Sequence, residues 1–150
     1  ARLADDLEKV RSEFGDKVAI YLRPYAKGSN LAVQSARAVA CAASQGKGKE
    51  MRALVFSKLK SNQNLDPESP EYGRQIGLNT DSFLACLTNE RKSGKIEQSA
   101  SEAEAYQVYG APTVFIGDEM VPGARPFEDY VDSEGQTVAG LKTLIARKVK

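Results

Sequence analysis

Tyr109-Gly-Ala-Pro-Thr-Val-Phe-Ile-Gly117, followed by Asp118-Glu-Met-Val-Pro-Gly123, is the stretch whose reading decides the fold. Gly110 closes a helical-looking run. Pro112 fixes its own φ and pushes Ala111 into an extended conformation. Thr113 to Ile116 is β-branched and aromatic, the composition of a buried strand. Gly117-Asp118 is a turn signal, so Glu119 to Val121 returns as the second strand of a hairpin.

Working outward from the hairpin, Ile96 to Tyr109 reads as the helix that leads into it. Pro126 to Val131 reads as one helical turn or two. Val138, Leu141, Leu144, Ile145 and Val149 form the apolar stripe of a closing helix. At the front, Leu3, Leu7, Val10 and Phe14 make one stripe, which predicts a helix over Ala1 to Phe14. It has no capping residue before Ala1. Val18, Ile20 and Leu22 alternate with Ala19, Tyr21 and Arg23, the pattern of a strand stopped by Pro24.

Between these ends the chain is helical. Asn30 is a candidate cap for an alanine-rich helix over Leu31 to Gln45, and Lys49 to Leu59 is a third helix. Ser61 to Asp66 is a polar loop. Ser69-Pro70 opens a short helix that ends before Gly77. Asn79 to Asn89 is a further helix. Gly46-Lys-Gly-Lys49 lacks the preceding strand, the full glycine spacing and the Ser or Thr of a phosphate loop. The order of elements implies an α/β domain with a helical insertion.

Composition removes several chemistries. The chain has 150 residues, enough for one domain with its own core, and a net charge of +1. Its basic tail, Arg147 to Lys150, reads as cations complementing the end of a helix rather than as a nucleic-acid contact. There is no histidine, which excludes His-based triads, His metal sites and a His proton shuttle. Two cysteines, Cys41 and Cys86, cannot build a four-thiolate zinc site. No metal site or cofactor is expected. No apolar run approaches the roughly 20 residues of a membrane span.

Gly110-Ala-Pro-Thr-Val-Phe-Ile116 and Val121-Pro-Gly-Ala-Arg-Pro-Phe-Glu128 resemble the DsbA-like thiol-disulfide oxidoreductases of the thioredoxin superfamily. Gly15-Asp-Lys-Val-Ala-Ile-Tyr-Leu-Arg-Pro24 resembles the strand after that family's first helix. Ala36-Arg-Ala-Val-Ala-Cys-Ala-Ala-Ser-Gln-Gly-Lys47 resembles the first helix of its insertion. Ile76-Gly-Leu-Asn79 and Phe83-Leu-Ala-Cys-Leu87 resemble its later helices. The resemblance runs in order along nearly the whole chain. It implies a single thioredoxin-like domain over residues 1–150, with the helical insertion at about 31–108, and a cis Pro112.

In that family the loop before the proline offers backbone groups to an extended peptide beside a catalytic dithiol. The matching positions here are Ala111 and Pro112, and Ala111 replaces the commoner Thr or Val. The family's Cys-x-x-Cys sits at the start of its first helix, where the helix dipole lowers the first thiol's pKa. This chain has no Cys-x-x-Cys, and the family's first strand is missing too. The resemblance therefore implies an N-terminally truncated domain, with the dithiol expected immediately before Ala1. The implied partners are cysteine-containing protein or peptide substrates and a redox partner protein. The implied location is periplasmic or otherwise extracytoplasmic.

Cys41 and Cys86 each fall on a helix of the presumed insertion. They are two buried unpaired thiols, a structural disulfide, or a redox-active pair; neither lies at a helix N-terminus. An extracytoplasmic location favours the disulfide. Three functions remain open. One is the substrate-facing part of a thiol-disulfide oxidoreductase. The second is a non-catalytic thioredoxin-like module that holds extended peptides. The third is a helical interaction protein whose resemblance is fortuitous.

Overall fold

A computed structural model describes residues 2–61 and 65–149, and their side chains except those of Arg2 and Lys92. The expectations at Ala1, at residues 62–64 of the polar loop and at Lys150 of the tail lie outside the described residues. The chain gathers into two compact units. One is Arg23–Tyr106; the other joins the segment up to Leu22 to the segment from Gln107 onward.

The Arg23–Tyr106 unit is helical. Helix α2 (Asn30–Ala43) is capped by Ser29, not by Asn30, because the Ser29 Oγ accepts from the Ala32 N–H at 3.2 Å. Helices α3 (Gly48–Lys60), α4 (Pro70–Gln75), α5 (Thr80–Ser93) and α6 (Lys95–Ala105) follow. Asn79 caps α5 by accepting from the Ser82 N–H at 2.9 Å. Helix α6 stops at Ala105 rather than reaching Tyr109, since Gln107 turns to a φ of 60°. The core is Ala38, Cys41, Ala42, Met51, Val55, Tyr72, Leu78, Phe83 and Leu87. Cys41 on α2 is bonded to Cys86 on α5, with a Cα separation of 5.7 Å. Beside this core, the buried Glu68 carboxylate accepts from Arg37 Nε at 2.7 Å and from an Arg91 Nη at 2.6 Å. Arg37 also reaches Glu97 at 3.0 Å. One carboxylate thus ties α2 and α5 to the segment before α4, and Arg37 links them to α6.

The second unit carries the sheet. Helix α1 (Arg2–Phe14) presents Leu3, Val10 and Phe14 to its core. Strands β1 (Thr113–Ile116) and β2 (Glu119–Pro122) pair antiparallel, Val114 opposite Val121 and Phe115 opposite Met120. Strands β3 (Tyr130–Val131) and β4 (Thr137–Val138) make a second small pair. Helix α7 (Leu141–Ala146) closes the unit. Val10, Ile116, Val121, Phe127, Leu141, Leu144 and Ile145 form its core.

Further expectations are corrected. Val18 and Ile20 pack on this core, yet Val18 to Arg23 joins no ladder among the described residues. Its alternation survives as burial only up to Tyr21: Val18 and Ile20 are half-buried and Tyr21 is 86% exposed, but Leu22, expected to point inward, is 57% exposed. Pro126 to Val131 forms no helical turn. The Pro126 and Phe127 carbonyls instead accept the Leu141 and Lys142 N–H groups at 2.9 Å each, serving the open start of α7. Tyr130 and Val131, both strand formers, then pair with β4, which also takes Val138 out of the closing helix. Gly140 permits this arrangement, because a Cβ there would overlap the Glu128 backbone carbonyl.

The result is an α/β architecture with a helical insertion, the fold class the resemblance implies.

Candidate peptide-binding site

The site is built on the segment that enters β1. The Ala111–Pro112 peptide bond is cis. Two hydrogen bonds brace the segment on either side. The Thr113 hydroxyl donates to the Gly110 carbonyl at 2.8 Å. The Gly123 N–H donates to the Pro112 carbonyl at 2.9 Å, extending the β1–β2 ladder by one rung. Gly123 holds a φ of 81°, which an L side chain rarely adopts, so the rung depends on glycine there.

Ala111 and Pro112 are both exposed. Among the described residues, no backbone hydrogen bond engages the N–H or the C=O of Ala111. One donor and one acceptor thus face solvent beside a fixed, kinked backbone. That is the requirement for adding one more extended segment through main-chain hydrogen bonds. The Ala111 methyl adds no polar group, and Gly110 to Thr113 carries no ionisable side chain. What the loop offers at this point is backbone and shape alone.

Below the loop an open recess is lined by Asp5, Asp6 and Lys9 of α1 and by Ala124 and Pro126, which follow Gly123. Lys9 is paired with Asp6 at 3.0 Å. No His, Cys, Asp or Glu cluster able to hold a metal ion is present among the described residues. No described helix is long and apolar enough to cross a membrane.

Sequence reasoning singled out Ala111, Pro112, Cys41 and Cys86. The structure sets Ala111 and Pro112 side by side on an exposed loop. It joins Cys41 to Cys86 in the helical unit, and no described cysteine is free. The supporting roles of Thr113 and Gly123 were missed. Their signal was present: a hydroxyl directly after the proline, and a glycine just beyond the partner strand.

A family model described as a DSBA-like thioredoxin domain matches residues 2–133. No curated protein and no solved structure matches the chain.

Proposed function

The chain belongs to the family of DSBA-like thioredoxin domains, and we propose that it is the substrate-holding part of a thiol-disulfide oxidoreductase. The observation that carries this reading is the unpaired Ala111 backbone beside the cis Pro112. An extended segment of a cysteine-containing protein docks there, its main chain bonding to Ala111 and its cysteine held near the loop. In disulfide exchange a thiolate attacks one sulfur of a disulfide, a mixed disulfide forms, and the other sulfur leaves as a thiolate. The nucleophile for that step lies outside these 150 residues, because both cysteines of this chain are bonded to each other. The reading takes the two units as one domain, with Arg23–Tyr106 as its insertion. It places the protein in the periplasm or another extracytoplasmic compartment, where the Cys41–Cys86 bond would persist. A redox partner protein then resets the dithiol.

The same observation of two mutually bonded cysteines favours a second reading, a thioredoxin-like module that holds peptides without catalysis. Two measurements test the readings. Fluorescence titration with an extended cysteine-containing peptide tests the loop, which both readings share. Ala111→Pro removes the free N–H and is expected to weaken binding about tenfold, the effect of one lost hydrogen bond. Unchanged affinity would sink both readings. The upstream coding sequence then decides between them: a strand followed by Cys-x-x-Cys supports the enzyme, and its absence supports the module.

A further inference from the structure

Charge is unevenly distributed along this nearly neutral chain. Residues 47–60 hold five cations (Lys47, Lys49, Arg52, Lys58 and Lys60) against a single carboxylate, Glu50. The local net charge of +4 stands within a chain of net +1. Almost all of this segment is helix α3.

Helical geometry sorts these residues. Met51 and Val55 are buried and anchor α3 to its unit. Phe56 lies on the outer side and is 52% exposed, with Leu59 at 47%. Residues three and four apart are neighbours on a helix surface. The surroundings of Phe56 are therefore Arg52 and Ala53 before it and Leu59 and Lys60 after it, with Lys49 two turns back on the same stripe. Glu50 falls on another flank and is paired with Lys47 at 3.3 Å. An aromatic and a leucine are thus exposed together on one side of the helix, with Arg52 and Lys60 beside them.

Exposed apolar side chains of this size cost solvation free energy unless something covers them. The cations select what that cover can be. A basic helical face carrying Phe and Leu matches a surface that is negative outside and apolar just beneath. We propose that the outer face of α3 docks the protein peripherally on a bilayer containing anionic phospholipid, with Phe56 and Leu59 entering the headgroup boundary and Arg52 and Lys60 on the phosphates. Local positive charge flanking an exposed Phe and Leu on one helix favours an anionic lipid surface, which answers both features at once. The proposal is independent of the proline loop.

Sedimentation of the protein with phosphatidylcholine vesicles, with and without phosphatidylglycerol, tests it. Binding is expected only to the phosphatidylglycerol vesicles, and raised salt should release it. The double variant Arg52→Gln, Lys60→Gln should bind about 25-fold more weakly, about fivefold for each cation removed. Phe56→Ser with Leu59→Ser should weaken binding while leaving its salt dependence intact. Lys148→Gln, which removes a cation of the other unit, should change nothing. All substituted positions are solvent-accessible, and circular dichroism verifies that each variant is folded. Equal binding to both vesicle types, absence of binding, or insensitivity to the α3 variants would each overturn the proposal. A parallel titration with polyglutamate identifies the rival case: if it binds and the vesicles do not, the face belongs to an acidic protein partner.

Discussion

Glu68 shows how much one side chain can decide. Burial by itself raises its pKa, but the hydrogen bonds from Arg91 and Arg37 outweigh burial and hold the carboxyl below the ordinary value of 4.5. A lowered folded-state pKa stabilises the fold above the unfolded-state value, and that contribution is lost as pH falls through the folded value. Wild-type stability is therefore expected to drop on acidification below about 4.5, followed by urea midpoints. Glu68→Gln should flatten that dependence and cost about 3 kcal/mol at neutral pH, since it leaves the mostly buried Arg37 without its closest carboxylate. Tyr72 presents the opposite case. Its ring is buried, and its hydroxyl lies against the Asp66 backbone without making a hydrogen bond of good geometry among the described residues. Tyr72→Phe is expected to be neutral or to stabilise by up to about 1 kcal/mol, because it removes an unsatisfied polar group at nearly constant shape. A clear loss of stability in thermal melts would contradict that reading. Neither residue was legible beforehand. Glu68 lies 31 positions from Arg37 and 23 from Arg91, so nothing local marks it as buried.

At the level of elements, legibility follows the range of the interactions involved. The hairpin at Gly117-Asp118 and the helix start at Ser69-Pro70 depend on neighbours a few residues away, and they were readable, whereas Asn79 was read as the first residue of α5 rather than as its cap. The Ala111–Pro112 loop was readable for the same reason, as a proline directly before a strand-forming run. Val18 to Arg23 has the alternation of a strand, but a ladder needs a partner, and alternation does not specify one. Pro126 to Val131 was misread because its carbonyls answer to α7, more than ten residues later. That link is testable through Gly140. Gly140→Ala would push a methyl into the Glu128 carbonyl, so it should destabilise the protein by about 2 kcal/mol or more. Denaturant titration measures the effect, and a tolerated alanine would show that the β3–β4 corner can shift.

Across the whole molecule, the two units are held by different means. The helical unit has a disulfide through its core and a buried ionic link beside it. The other unit relies on a hairpin that pairs with no further strand among the described residues and on the packing of α1 and α7. Such hairpins are marginal when isolated. Amide exchange is therefore expected to be slowest in α2 and α5 and distinctly faster in β1 and β2. Reduction should lower stability by up to about 4 kcal/mol, the model entropy for a loop of this size. Native protein should show no thiol to a chromogenic reagent until it is denatured and reduced. The covalent link has a mechanical consequence as well. A chain pulled from its two ends transmits force from Cys41 straight to Cys86, and the 45-residue span between them carries no tension. Fully stretched, the oxidised protein should fall short of the reduced one by about 150 Å of contour length. Any machine that threads polypeptides through a narrow channel would meet a doubled strand at that point, whatever the state of the surrounding fold.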